Sequence, residues 1–175
     1  NNVGYVYYMK NDLANANTNF EKANSLNENP ITLNNLGIVA RQNGDRTKAT
    51  ELYNSALSAG PEVKYNLGII AIQNGNYDEA IGNMGSENTF NKALAQLLNG
   101  DHDSALTTID ASNDNDTAMG YYLKAIIGAR KNNLDVLVNN LTAAIAKDSA
   151  LKGKAAKDRE FIKFFDNAAF QNLVK

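Results

Sequence analysis

The sequence predicts an all-α protein, an α-α superhelix built from antiparallel helix pairs. Three observations predict it. The stretch "NNLGIVARQNGD" at residues 34–45 is written again with few changes as "YNLGIIAIQNGN" at 65–76. Each copy ends in a Gly-Asp or Gly-Asn pair, which reads as a turn, and small residues follow at helical spacing. No segment alternates apolar and polar residues as a strand does. Self-similarity at a period of about thirty residues is the signature of stacked repeats, in which each unit buries its apolar face on its neighbours.

Composition bounds the function. Hydrophobic residues make up 43% and charged residues 21%, as in an ordinary globular chain. The net charge of -2 provides no basic field for nucleic acid or an anionic membrane. No apolar run approaches the roughly 18 residues of a membrane span. The absence of Cys excludes disulfides, thiolate metal sites and cysteine nucleophiles. About one residue in six is Asn, a poor helix former, so packing rather than propensity must hold the helices.

Five units follow in order. Unit one, 1–29, carries Val3-Gly4, Asn11-Asp12, Ala16, Phe20 and Ala23. It opens as the tail of another copy, "NNVGYVYYMKND", so the sequence reads as part of a longer chain. Unit two, 30–59, has Leu36-Gly37, Gly44-Asp45, Ala49, Tyr53 and Ala56, with Pro61 beyond it placed to start the next helix. Unit three, 60–86, has Leu67-Gly68, Gly75-Asn76, Ala80 and Met84. Unit four, 87–114, has Ala93, Gly100-Asp101, Ala105 and Ile109. Unit five, 115–147, has Leu123, Ala125, Asn132-Asn133, Leu137, Leu141 and Ala144. Residues 68 and 93 are closer than the other equivalent pairs. Gly82 and Gly85 should therefore end the second helix of unit three near Met84, and the stack should bend there. Residues 148–175 read as a terminal cap of two helices, the first with Leu151, Ala155, Phe161 and Phe165 on one side.

The Leu36-Gly37, Gly44-Asp45, Ala49, Tyr53, Ala56 and Pro61 pattern resembles the tetratricopeptide repeat, a helix–turn–helix unit of about 34 residues. The resemblance spans roughly 1–147. It implies that Gly37 and Ala49 lie where two helices cross closely and that Tyr53 fills the space beside them. One family position, usually aromatic, holds Tyr7 in unit one but Ala40, Ala71, Gln96 and Gly128 afterwards. The resemblance also implies a non-catalytic scaffold that holds a protein or peptide on an inner face lined by first helices. Carried over by position, that face holds Tyr5, Tyr8, Asn34, Ile38, Arg41, Tyr65, Ile69, Ile72, Phe90, Leu94, Tyr122 and Arg130. The family's clamp for a terminal carboxylate uses Lys and Asn. Here its positions hold Asn1/Tyr5, Asn34/Ile38 and Tyr65/Ile69, without Lys, which argues against that ligand. The alternative is an accessory or self-association module of a larger envelope-associated protein, or of an enzyme, encoded upstream of residue 1; the oligomeric state stays open.

Catalytic and metal motifs are weak. "DHDS" at 101–104 sets the sole His beside two acids, but neighbours at a helix start diverge instead of facing one another. "DASNDNDTAMGY" at 110–121 lacks the Gly and Glu of a calcium loop, and Asp116 there reads as a helix cap. Lys147, Lys152, Lys154, Lys157, Arg159 and Lys163 alternate with acids as a solvated face does. No cofactor or metal is expected. Asp103-Ser104-Ala105, Asp116-Thr117-Ala118 and Asp148-Ser149-Ala150 are similar to an O-glycosylation motif of some bacterial envelope proteins, which leans the localisation toward the cell envelope, although helix capping accounts for all three.

Overall fold

The computed structural model describes all of residues 1–175, and every regular element in it is helical. The helices gather into two compact units, Asn1–Gly85 and Ser86–Lys175. The first holds α1 (Asn2–Met9), α2 (Leu13–Leu26), α3 (Pro30–Gln42), α4 (Arg46–Ser55), α5 (Pro61–Asn74) and α6 (Tyr77–Asn83). The second holds α7 (Phe90–Leu98), α8 (His102–Asp110), α9 (Ala118–Arg130), α10 (Leu134–Lys147), α11 (Ala150–Ala155), a 3-10 segment (Arg159–Phe164) and α12 (Ala168–Val174).

One turn device builds all five hairpins. Asn11, Gly44, Gly75, Gly100 and Asn132 lie in the left-handed region, with φ of 59, 85, 81, 89 and 54°. The residue after each donates its N–H to the carbonyl five positions back. These bonds are Asp12 to Tyr7, Asp45 to Ala40, Asn76 to Ala71, Asp101 to Gln96 and Asn133 to Gly128, all 2.8–3.0 Å. They satisfy carbonyls that the helix end leaves open. Four of the same residues then cap the next helix. Asp12 accepts from the Asn15 amide, Asp45 from Lys48, Asp101 from Ser104 and Asn133 from Val136, at 2.9–3.1 Å.

Within the first unit, large residues of the second helices fill the space left by glycines. A Cβ on Gly4 would lie 2.6 Å from the Phe20 ring, and one on Gly37 would lie 2.6 Å from the Tyr53 ring. Phe20 packs with Ala16, Leu36 and Val39, and Tyr53 with Leu33, Ala49, Ala56, Val63 and Ile70. Pro61 opens α5, where its missing N–H costs no intrahelical bond. Helix α6 has seven residues, against ten in α4 and fourteen in α10, and its C-cap is Met84, the early end expected from Gly82 and Gly85.

In the second unit, Ala93, Leu97, Ala105, Ile109, Leu123 and Ile127 form one core, and α9, α10 and the C-terminal segment share another. Two expectations are corrected here. The segment after Lys147 does not begin with one long helix: α11 ends at Ala155, and Asp158 accepts the Glu160 N–H at 3.0 Å to start a 3-10 turn. A three-residue repeat puts Phe161 and Phe164 on one side. They are buried with Phe170, while Phe165 stays half-buried. Thr117, not Asp116, caps α9 by accepting the Gly120 N–H at 3.0 Å. Asp116 instead receives the Tyr121 hydroxyl at 2.9 Å and Lys147 at 3.1 Å, and these two hold its carboxyl below the usual range. No helix is long and apolar enough to cross a membrane.

Candidate partner-binding face

In the first unit the first helices are α1, α3 and α5. On α1, Tyr5 is 53% exposed, and its ring centroid lies 6.3 Å from that of Tyr8, which is half-buried. Both rings border a small crevice, about 20 Å³, with Asn35, Ile38 and Phe20 as its other walls. It has room for little more than one water or a methyl group. Gln42 donates to the Tyr8 hydroxyl at 2.9 Å and fixes the ring at the crevice edge. Arg41, Tyr65, Ile69 and Ile72 are half-buried on α3 and α5. Arg41 stands beside the Tyr53 hydroxyl. Burial pushes the pKa of that hydroxyl up, and the guanidinium pulls it part of the way back.

Asn34 is different. It is 7% exposed, and its side-chain oxygen accepts from Asn66 at 3.0 Å. It is therefore a buried inter-repeat bond and is not offered to a partner. Asn35 makes the matching bond to Asn1, also 3.0 Å. A helical Asn looks the same in sequence whether paired or free, so spacing alone could not assign it.

In the second unit Phe90 is half-buried and packs on the Ala93 and Leu97 core, with Leu94 beside it. Tyr122 is a correction: it is 1% exposed, its hydroxyl donates to Asp158 at 2.7 Å, and its ring meets Phe161 edge-on at 5.6 Å. The physical reason is non-local, because the C-terminal segment folds over the α9 face that the repeat spacing marks as open. Arg130 is occupied. It grips Glu160 with Nε at 2.8 Å and Nη2 at 2.6 Å, and it donates through Nη1 to the Leu97 carbonyl at 3.0 Å.

The larger notches are shallow. One of about 480 Å³, lined by Arg46, Thr47, Thr50, Glu51 and Asn74, lies beside the second helix α4. Arg46 there is already bound to the Gln73 carbonyl and the Asn74 side chain, at 2.9 and 3.2 Å. The crevice at Tyr5 is small, but aromatic rings line it, and such rings carry binding energy better than an open polar dip.

Residues 34–83 match the family model of the tetratricopeptide repeat. Residues 34–83 carry the tetratricopeptide pattern. The match takes in α3 through α6, which contain the two near-identical copies and the Gly37–Tyr53 crossing. The same turn and cap recur outside it at Asn11-Asp12, Gly100-Asp101 and Asn132-Asn133, so the flanking helix pairs share the hairpin geometry of the matched segment. Tetratricopeptide repeats are typically non-catalytic modules of protein–protein interaction. No curated protein matches the chain.

Proposed function

We propose that the chain is a non-catalytic scaffold that holds an extended partner segment on the first-helix face of its first unit. The observation that carries the reading is the exposed Tyr5 beside the Tyr8, Asn35 and Ile38 crevice. Tyr65, Ile69 and Ile72 continue the half-buried apolar surface on α5. A large ring left half in water gains by covering itself with a partner, and such anchors are often worth about 2 kcal/mol or more. Phe90 is offered with less surface from the second unit, and Asn34, Tyr122 and Arg130 are already engaged within the chain.

The test is selection from a random peptide display library on the purified chain, followed by titration of the winning peptides. Tyr5→Ala and Tyr65→Ala should weaken binding by ten-fold or more, as loss of a hot spot of about 2 kcal/mol does. Selected peptides that bind both folded variants as well as the parent would move the site off this face.

A second reading has its own support. Val3, Val6 and Met9 are exposed on α1, spaced three apart. Such a strip suits self-association or an accessory role in a larger assembly. Sedimentation of the chain across a concentration series tests it. A dimer that Val6→Glu dissociates supports the reading, and a monomer at every concentration rejects self-association.

A further inference from the structure

We infer that Arg41 is a docking point for a side-chain carboxylate of the partner, set beside the apolar crevice. This rests on the first-unit face being the partner site. Two independent observations lead to it.

The first concerns Arg41 itself. Its side chain is half-buried, its Nε is buried without a hydrogen-bond partner, and no acid of the chain pairs with it. The Tyr53 hydroxyl beside it is likewise buried and without a well-formed bond. Ion pairs are made elsewhere, as in Lys48–Glu21 and Lys124–Asp110. A partly desolvated guanidinium with no counter-charge is costly, and a carboxylate arriving at its open edge offsets that cost. Tyr53 is a positioning residue here. Its ring is locked against Gly37, and its hydroxyl limits where the Arg41 head can go.

The second observation is an internal template. Arg41 and Arg130 are each a basic residue in the last turn of a first helix, α3 and α9. Counted from the left-handed turn residues Gly44 and Asn132 they stand one position apart in register, so the likeness is one of chemistry and helix end rather than of repeat position. Arg130 is met by Glu160 in a two-pronged bond at 2.8 and 2.6 Å. Glu160 belongs to a segment laid across α9, with the aromatic Phe161 directly after it. The second unit therefore already shows an acid next to an apolar residue, docked on a first helix through its terminal Arg. At Arg41 the acid is missing, and the apolar counterpart is the crevice. Ile38 lies three residues before Arg41 on α3, about 4.5 Å along the axis. An extended segment spans that distance in about one or two residues. The ligand class that follows is a peptide with an apolar side chain and a Glu or Asp within one or two positions of it.

The experiment titrates the 175-residue chain with two capped peptides, acetyl-Ala-Phe-Ala-Glu-Ala-amide and its Gln counterpart, followed by NMR. Backbone signals of Tyr5, Tyr8 and Ile38 report the face, and the Arg41 Nε–H signal reports the carboxylate site. The Glu peptide should bind about two- to five-fold tighter, as an ion pair open to water does, and should shift the Arg41 signal. Added salt should erase the advantage, and Arg41→Gln should abolish it while Arg41→Lys keeps part of it. Shifts at Tyr5, Tyr8 and Ile38 with equal affinity for both peptides overturn the carboxylate site and leave the face standing. A Glu preference that survives in Arg41→Gln overturns it as well. No shift at the face with either peptide overturns both readings.

Discussion

Asn66 donates to the buried oxygen of Asn34 across 3.0 Å, from α5 to α3, and Asn35 repeats the bond one unit earlier, to Asn1. The two bonds form a ladder of side-chain amides between successive first helices. Asn34 and Asn1 accept; Asn66 and Asn35 donate. The inner rung is part-buried and the outer rung exposed, so their energies should differ. Asn34→Ala should destabilise the first unit by about 1–2 kcal/mol, because Asn66 is left with an unmet amide. Asn35→Ala should cost under about 0.5 kcal/mol. Urea unfolding of both variants measures this, and a double-mutant cycle on Asn34 and Asn66 isolates the coupling. Equal losses at the two rungs would contradict the ladder's gradient.

The helix crossings predict a ranked glycine series. Helix propensity alone favours Ala over Gly by up to about 1 kcal/mol. At Gly128 the new Cβ would meet the Leu137 backbone nitrogen at 2.6 Å, and backbone cannot step aside. At Gly37 it would meet the locked Tyr53 ring at 2.6 Å. At Gly68 its nearest neighbour is Met84 at 2.9 Å, a flexible chain that can shift, with the fixed Ala80 carbonyl oxygen next at 3.1 Å. Gly128→Ala and Gly37→Ala should each lose about 1–3 kcal/mol, while Gly68→Ala should lose less, under about 1 kcal/mol. Thermal unfolding of the three checks the order.

The C-terminal segment should be integral to the second unit. Phe161, Phe164 and Phe170 are buried on α9 and α10, with Leu137 and Leu141 in the same core. Phe161→Ala should cost about 3–5 kcal/mol. Ending the chain after Lys147 should expose this core and promote aggregation, seen as light scattering on mild warming. A truncated chain that melts like the parent would show the segment to be an independent tail.

Alkali should destabilise both units. Burial holds the Tyr53 and Tyr122 hydroxyls above the usual tyrosine pKa of 10.0, and the bond to Asp158 raises Tyr122 further. As pH rises through about 10 an unfolded tyrosine gives up its proton more readily than these two do. The unfolded state then binds fewer protons than the native one, so stability falls as pH rises. Circular dichroism against urea at pH 8 and pH 11 should show the loss, and Tyr122→Phe should flatten the pH slope without restoring the lost Asp158 bond. Identical midpoints at the two pH values would oppose it.

The legible part of this molecule was local. Gly37, Ala49 and Tyr53 recur at fixed offsets, so the crossing could be read from one repeat. The turns could be read too, because only Gly and Asn tolerate the left-handed residue each needs. Asn34 and Tyr122 were placed on an open face for the same local reason, and both are buried by something the repeat does not encode. For Asn34 the cover comes from the neighbouring repeat. For Tyr122 it comes from Asp158 and Phe161, more than thirty positions later. The long helix expected from Leu151 through Phe165 failed at Asp158, whose carboxylate caps a new turn more favourably than it continues the old one.

The five shared turns also set an order of events. Each is closed by a bond between residues five positions apart, so no distant part of the chain has to arrive first. Contacts of short sequence separation form quickly, and stacked units can grow from whichever forms first. On a ribosome each hairpin can close soon after its second helix emerges, and the next can dock on it. The last stage runs against this order. Tyr122 waits for Asp158, and the α9–α10 core waits for Phe170. The growing chain thus carries an open, sticky surface on its second unit until residues 158–170 have been released.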